Sequence, residues 1–428
     1  MLCRLKSSTS VLSKARMATL VATEEFPYNV TVTPKVSAPA VIKANKLASG
    51  VQVVTRTNNS STVSLKFAVL GGSSTEGTAK GAAHFLSHAA FAGTQNSTGL
   101  KLVKHLETLG ASFESHADRE KIVYDVRVLP DKAEAAIEAV VSAIASPPHA
   151  AYVLEEIRAK AQIDYNKFAV DRSAQLQELL FEAAYGESPL GSSRLAPNLK
   201  KLTVADVLKY RAAHFVRGNV VVVGNGIGQE QLEAAINKSV AALPEGPAVA
   251  LPASTYVGGD VKVRTDLDGA SLFGLAFPVP AGDAGKPFKI LNALIGEKLA
   301  SQNVCARNFI HSFAAGGIFG VESGAPQHLQ LVADELKAIA AKSPSIDAVK
   351  QKLTLEHFLA LEGADSTGSL LSAHQRGVAA PAAGDLRSVT PEAVSAAAAA
   401  ALKANPSYAV LGATTGTPTF AAISKLLR

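Results

Sequence analysis

The feature that most constrains the fold is a pattern that occurs twice in the 428 residues of the chain. Thr203 begins the segment TVADV, and Thr390 begins the segment TPEAV 187 residues later. Threonine is a favourable residue at the N-cap of a helix. Each predicted helix leads into a short apolar strand and a glycine, at Val220 to Gly224 and at Tyr408 to Gly412. The recurrence predicts a tandem duplication with two homologous lobes.

The chain is also too long for one ordinary hydrophobic core, and its length suits two domains of about 200 residues each. Residues 62–69 alternate between apolar and polar side chains as a half-buried strand does, whereas the apolar positions from Ile137 to Ile144 follow a helical spacing. A long helix is predicted from about Val153 to Tyr185. We therefore predict an α+β fold in which each lobe is a mainly antiparallel sheet packed with helices. The predicted parts are an N-terminal lobe at 46–242, a proline-rich linker at 243–259 and a C-terminal lobe at 260–428.

The first 23 residues have the composition of a mitochondrial presequence. They contain four basic residues, and the first acidic residue of the chain is Glu24. A disordered basic tail is the alternative. The formal net charge of +6 falls to +2 without these four residues, so no nucleic-acid partner is expected.

Membrane and redox signals are weak in this sequence. No run of 18 apolar residues is present, so any association with a membrane is expected through partner proteins only. Cys3 and Cys305 are too few for a disulfide framework or a thiolate zinc site, which favours a reducing compartment.

One segment carries the residues of a metal chemistry. Residues 81–94 read GAAHFLSHAAFAGT, and on a helix His84 and His88 project from one face. In the inverted zinc motif His-x-x-Glu-His, the glutamate is the general base that takes a proton from zinc-bound water. Ser87 stands at that position. Because a serine hydroxyl does not accept a proton near neutral pH, we predict no catalytic residue here.

This segment resembles GTAHFLEHMAFKGT of the mitochondrial processing peptidase and pitrilysin family of zinc peptidases. The resemblance extends through LETLGASFESHADREKIVYDVRVLPD and YGESPLGSSRL in the first half, and through FIHSFAAGGIFGVESG in the second. It covers roughly residues 46–428. It implies the two-lobed metallohydrolase-like fold of that family.

The resemblance also implies a degenerate site. The position of the third zinc ligand, a glutamate in active relatives, is Asp164, which is one methylene shorter, and the position of a helper acidic residue is Ile157. Glu155 and Glu156 are nearby carboxylates, about two turns away along the helix. The position of a substrate-binding tyrosine in the second lobe is Phe313.

Two interpretations of the histidine pair stay open. His84 and His88 are either partly buried helix residues satisfied by hydrogen bonds, which we favour, or ligands of a structural zinc without catalytic function. We expect no metal at the vestigial positions His84, His88 and Asp164, and no other cofactor.

Loss of catalytic groups within a preserved two-lobed frame is what the core subunits of respiratory complex III show in this family. The resemblance thus implies a structural subunit on the matrix side of the mitochondrial inner membrane, without haem or an iron–sulfur cluster. Its partners in the dimeric complex would be core protein 1, cytochrome b and other subunits. The alternative is the non-catalytic alpha subunit of the processing peptidase, which binds presequences and has a glycine-rich loop in its second lobe. Residues 312–326 contain no contiguous glycine run, and Ser87 weakens a third hypothesis, an active peptidase.

Overall fold

The structure is a computed structural model, and it describes residues 41–428 except 59, 96, 148–149, 197–198, 266–270, 363–366, 369 and 372–385. The described residues belong to one compact unit. The predicted presequence at residues 1–23 lies outside them.

The first lobe is built on a six-stranded sheet with the strand order β1-β2-β6-β3-β5-β4. Strands β2 and β6 pair in parallel, and all other neighbours are antiparallel. The strands are β1 Val41–Lys46, β2 Gln52–Thr57, β3 Val63–Leu70, β4 Ser112–Ala117, β5 Lys121–Val128 and β6 Val220–Asn225.

The second lobe is built on a five-stranded sheet with the order β7-β11-β8-β10-β9. Strands β7 and β11 pair in parallel, and the other pairs are antiparallel. The strands are β7 Gly259–Arg264, β8 Ser271–Val279, β9 Ala306–Phe313, β10 Gly316–Ser323 and β11 Ser407–Gly412.

Twelve α-helices have described bounds, and they pack on the two sheets. They are α1 Ala82–Ala89, α2 Gly99–Thr108, α3 Ala133–Ala145, α4 Ala151–Phe168, α5 Arg172–Tyr185, α6 Val204–His214, α7 Gln229–Ser239, α8 Lys286–Ser301, α9 Gln327–Ala341, α10 Asp347–Glu362, α11 Pro391–Lys403 and α12 Phe420–Leu427. Within the described segments, no helix has both the length and the apolar content needed to cross a bilayer.

The predicted duplication is confirmed by the position of the repeated strands. Strand β6 lies between β2 and β3, and β11 lies between β7 and β8 with the same directions. The threonine side chains also act alike: Thr203 accepts a hydrogen bond from the backbone N–H of Asp206, and Thr390 accepts one from that of Ala393. The chain therefore has two tandem α+β lobes.

The long helical stretch predicted from about Val153 to Tyr185 consists of two helices, because the chain breaks between α4 and α5. Asp171 is the N-cap of α5, and its carboxylate accepts hydrogen bonds from the backbone N–H groups of Ser173 and Ala174. A side-chain acceptor of this kind starts a new helix at low cost, since it satisfies N–H groups that have no partner within the helix.

Each sheet uses apolar residues from the sequence of the other lobe. Helix α5 lies in first-lobe sequence, yet its buried residues, such as Leu176 and Leu180, pack against Ala276 and Ile318 of the second sheet. In the opposite direction, Leu370 and Leu371 pack against strand residues of the first sheet. The two lobes therefore exchange apolar residues across their sequence boundary. The predicted boundaries of the lobes, at residues 242 and 260, stay a proposal.

A buried carboxylate adds a polar contact between the lobes. Glu120, in the turn between β4 and β5, accepts hydrogen bonds from the backbone N–H groups of Ala314 at 2.9 and 3.0 Å and of Ala315 at 3.3 Å. These two alanines form the turn between β9 and β10. The turn that follows Phe313 is thereby fixed against the first lobe.

Candidate metal centre

Helix α1 is short, and its start is fixed by a side chain from the preceding loop. The carboxylate of Glu76 accepts hydrogen bonds from the backbone N–H groups of Gly81 at 2.7 Å and Ala83 at 2.9 Å. Gly81 has φ of 90°, and a Cβ there would lie 2.6 Å from the Cβ of Ala196, so glycine is required. A carboxylate at a helix N-terminus is also favoured by the helix dipole.

Helices α1 and α4 bring His84, His88 and Asp164 together. Oδ2 of Asp164 lies 3.2 Å from Nε2 of His88 and 3.9 Å from Nε2 of His84. The three ligand atoms all lie within 4.8 Å of one another. His84 is buried, whereas the side chain of Asp164 is 45% exposed. The shorter carboxylate predicted at this position therefore reaches the histidine pair.

Burial keeps both imidazoles neutral. It lowers the pKa of His84 to about 4 and also lowers the pKa of His88, while the neighbouring Asp164 raises both values by less. A neutral imidazole offers a lone pair to a metal ion. Two imidazole nitrogens and one carboxylate oxygen are, in kind and number, the protein ligands of a catalytic zinc site.

The surroundings of these ligands lack what such a site needs. The Ser87 side chain is buried, and its hydroxyl donates a hydrogen bond of 2.8 Å to the backbone oxygen of His84. A zinc ion held by these ligands would activate a bound water, but Ser87 offers no base to accept its proton. Metal-bound histidines usually donate their second ring N–H to an acceptor. Nδ1 of His84 has no such partner among the described residues, and the buried Ile157 supplies none.

This geometry corrects one expectation about the histidine pair. Hydrogen bonds were expected to satisfy both rings, and for His84 this is wrong, because neither ring nitrogen has a hydrogen-bond partner in the described part of the chain. The spacing of the histidines and the family resemblance indicated the three ligand positions, but neither indicated which ring nitrogens of His84 lack partners. The predicted absence of a metal stays a prediction.

The other predicted positions lie outside the cluster. Glu155 pairs with Arg158, and Glu156 pairs with Lys160, so neither carboxylate replaces Asp164. Phe313 packs against Phe181 of α5, with ring centroids 5.7 Å apart. Its side chain belongs to the apolar contact between α5 and the second sheet.

Sequence reasoning also missed a buried ion pair beside this region. Arg119 donates hydrogen bonds to both carboxylate oxygens of Glu178, at 2.8 and 3.2 Å, and its Nε donates to the backbone oxygen of Leu190. The guanidinium carbon lies 3.9 Å from the ring centroid of Phe181. Arg119 and Glu178 are 59 positions apart in the sequence, so no local sequence pattern predicts their contact.

We expect the contribution of Glu76 to the stability of the chain to fall between about pH 5 and about pH 8. Burial raises the pKa of Glu76 from 4.5 to about 7, although hydrogen bonds from Gly81 and Ala83 and the charge of Lys80 lower it. The protonated form is thus favoured in the folded state. Its contribution is full below pH 4.5 and is lost as the pH rises through about 7, by at most about 3 kcal/mol.

Urea unfolding at the two pH values tests this, with Glu76→Gln as the variant. The variant should lose part of the pH dependence, because the amide does not titrate. Glu134→Gln, which changes an exposed carboxylate, is the matched control. Equal pH dependence in the wild type and Glu76→Gln would contradict the prediction.

Comparison with known proteins gives the family. The sequence model described as insulinase (peptidase family M16) matches residues 52–198, and the model described as peptidase M16 inactive domain matches residues 201–356. Together the two models cover more than half of the chain. The chain belongs to the M16 peptidase family. The resemblance found in the sequence is thereby confirmed, and the two matches follow each other along the chain of this M16 member, the second beginning before strand β6 of the first lobe.

Curated relatives of this M16 family member include proteins of two kinds. It is 24% identical to cytochrome b-c1 complex subunit 2, mitochondrial, of Yarrowia lipolytica, over 89% of this chain and 96% of the relative. It is 25% identical to the probable mitochondrial-processing peptidase subunit alpha-2 of Arabidopsis thaliana, over 78% of this chain and 74% of the relative. The beta subunit of that peptidase from Rattus norvegicus is 28% identical, over 62% and 59%. The match to the inactive domain supports a non-catalytic role.

Proposed function

We propose that the chain is a non-catalytic structural subunit, core protein 2, of mitochondrial respiratory complex III. It would lie on the matrix side of the inner membrane, pair with core protein 1 and support the cytochrome b dimer. The observation that carries the proposal is Ser87, a buried hydroxyl in place of the general base within a complete two-lobed frame. The similarity to a cytochrome b-c1 complex subunit along 96% of that relative's length supports it.

The two-lobed fold and the catalytic groups of this family have separate physical requirements. An active M16 site needs a base, three ligands and outer hydrogen bonds that orient the ligands. The chain has the ligands without the base, whereas the lobes and their reciprocal packing are intact. A structural subunit requires only the frame and its surfaces.

The alpha subunit of the mitochondrial processing peptidase is the second candidate, and the Arabidopsis relative favours it. The alpha subunit is expected to have a glycine-rich loop in its second lobe, and the structure of residues 312–326 argues against such a loop here. Residues 312–326 contain the end of β9, a turn of two alanines and strand β10, in which Gly316 and Gly317 pair with Phe313 and Ser312. Glycines held in a strand hairpin are not available as an open presequence-binding loop.

We expect the tagged chain to co-migrate with cytochrome b when mitochondrial membranes are solubilised mildly and separated by native electrophoresis. The measurement is identification of peptides in the band, with a tagged soluble matrix protein as the control. A soluble two-subunit species that contains a zinc-bearing peptidase subunit, and no cytochrome b, would support the second candidate and refute the first.

A further inference from the structure

An apolar groove on the first lobe lies behind the histidine pair. It is a shallow, open groove bounded by α1, α4 and α6. Its floor includes Phe85 and Ala89 of α1, which are buried side chains next in sequence to His84 and His88. The groove is thus separate from the metal ligands, although it shares a helix with them.

Two helices present parallel stripes of side chains along the groove. Leu154 and Arg158 are four positions apart on α4, and Val204, Leu208 and Arg211 lie four and then three positions apart on α6. Residues at these intervals lie on one face of a helix. Val204 and Leu208 are 46% and 42% exposed, so the apolar surface continues from the groove to the solvent. Two such stripes over an apolar floor form the surface that receives an amphipathic helix.

The charges at the groove have one sign. Arg211 lines it, and no carboxylate among the described residues pairs with this side chain, which donates a hydrogen bond to the backbone oxygen of Ala145. Arg158 pairs with Glu155, which is 69% exposed. The Nε atoms of both arginines are buried and have no hydrogen-bond partner in the described segments. A half-buried cation without a counter-ion is complementary to an acidic ligand.

We propose that this groove binds an acidic amphipathic helix of a partner protein. Apolar side chains of that helix lie on Phe85 and between Leu154 and Leu208, and a carboxylate lies beside Arg211. The α6 stripe spans seven positions, which corresponds to about 10 Å, so about two turns of partner helix cover it. The proposal does not depend on which mitochondrial assembly the chain belongs to, since it rests on the groove alone.

The test is fluorescence anisotropy of a labelled 14-residue helical peptide added to the full chain. The peptide carries leucines at i, i+4 and i+7 flanked by glutamates, and a sister peptide carries glutamine at each glutamate. We expect saturable binding of the acidic peptide and about tenfold weaker binding of the neutral one. Raising the salt concentration should reduce this difference.

Substitutions on α6 test whether the peptide binds in the groove. Leu208→Asp should weaken binding of the acidic peptide at least about tenfold, since it adds a like charge and removes an apolar contact. Arg211→Gln should abolish the preference for the acidic peptide. Lys209→Ala is the matched control, because Lys209 is exposed on the same helix and does not line the groove. Thermal unfolding of each variant checks that the fold is retained.

Four outcomes would overturn the proposal. They are absence of saturable binding, equal affinity for the two peptides, no effect of Leu208→Asp, and self-association of the chain that Leu208→Asp abolishes. The last outcome would make a second copy the occupant.

Discussion

The purified chain is expected to cleave no presequence peptide, and Ser87→Glu alone is expected not to restore full activity. A general base contributes about 10²- to 10⁴-fold to a hydrolysis of this type. Ser87 cannot supply it, because its hydroxyl donates to the backbone oxygen of His84. Replacement by glutamate adds volume and charge at a buried position, which works against correct placement of the new base.

The metal is expected to be the second obstacle to repair of the site. We expect no stoichiometric zinc in the purified chain, because Nδ1 of His84 has no acceptor among the residues that the structure describes and Ile157 offers no carboxylate. Loss of such outer hydrogen bonds weakens metal binding by about 10- to 100-fold. A displacement of about 1 Å can lower the rate by a further factor of about 100.

The measurement combines metal analysis by mass spectrometry with a peptide-cleavage assay. The variants are Ser87→Glu, Ser87→Glu with Asp164→Glu, and Ser87→Gln as a control of the same size without the carboxylate. Activity of the double variant above that of Ser87→Glu would identify Asp164 as the limiting ligand. Strong chelator-sensitive turnover by the wild-type chain would refute the non-catalytic reading.

Local sequence signals predicted the parts of the fold that depend on neighbouring residues. Val63, Leu65, Phe67 and Val69 lie together in the first core, while Ala68 faces the opposite side of the sheet. This follows from the two-residue period of a strand. The N-caps at Thr203 and Thr390 were likewise predictable, because each depends on a few adjacent positions, and their recurrence indicated the duplication.

The partners of distant segments were not predictable in the same way. Helix α5 has an apolar face, but the hydrophobic effect has no direction, so periodicity does not say which sheet covers that face. The metal cluster shows the same limit. The spacing of His84 and His88 placed both on one face of a helix, but only the resemblance pointed to Asp164, 76 positions further along the chain. Whether Nδ1 of His84 finds a hydrogen-bond partner depends on the packing around it, which the spacing of the histidines does not predict. The described residues provide no partner.

Arg119→Ala is expected to destabilise the chain more than any other charge removal discussed above. The side chain of Arg119 is 1% exposed, and its partner Glu178 is 11% exposed. Breaking a buried pair from one side typically costs about 3–5 kcal/mol, because the remaining charge loses its partner. Arg194, which also pairs with Glu178, offsets part of this cost. The stacking of the guanidinium on Phe181 is lost as well.

The effect should extend to the second lobe, because Glu178 belongs to α5 and α5 packs on the second sheet. The measurement is the midpoint of urea unfolding together with hydrogen exchange of α5 amides, which should lose protection in Arg119→Ala. Lys132→Ala is the control, since its exposed pair with Asp131 should change stability by less than about 0.5 kcal/mol. A combined Arg119→Met and Glu178→Gln variant should be more stable than Arg119→Ala, because it removes the buried carboxylate and leaves only the half-exposed Arg194 without its ion-pair partner. If Arg119→Ala and Lys132→Ala had equal midpoints, the buried pair would not stabilise the contact between the lobes.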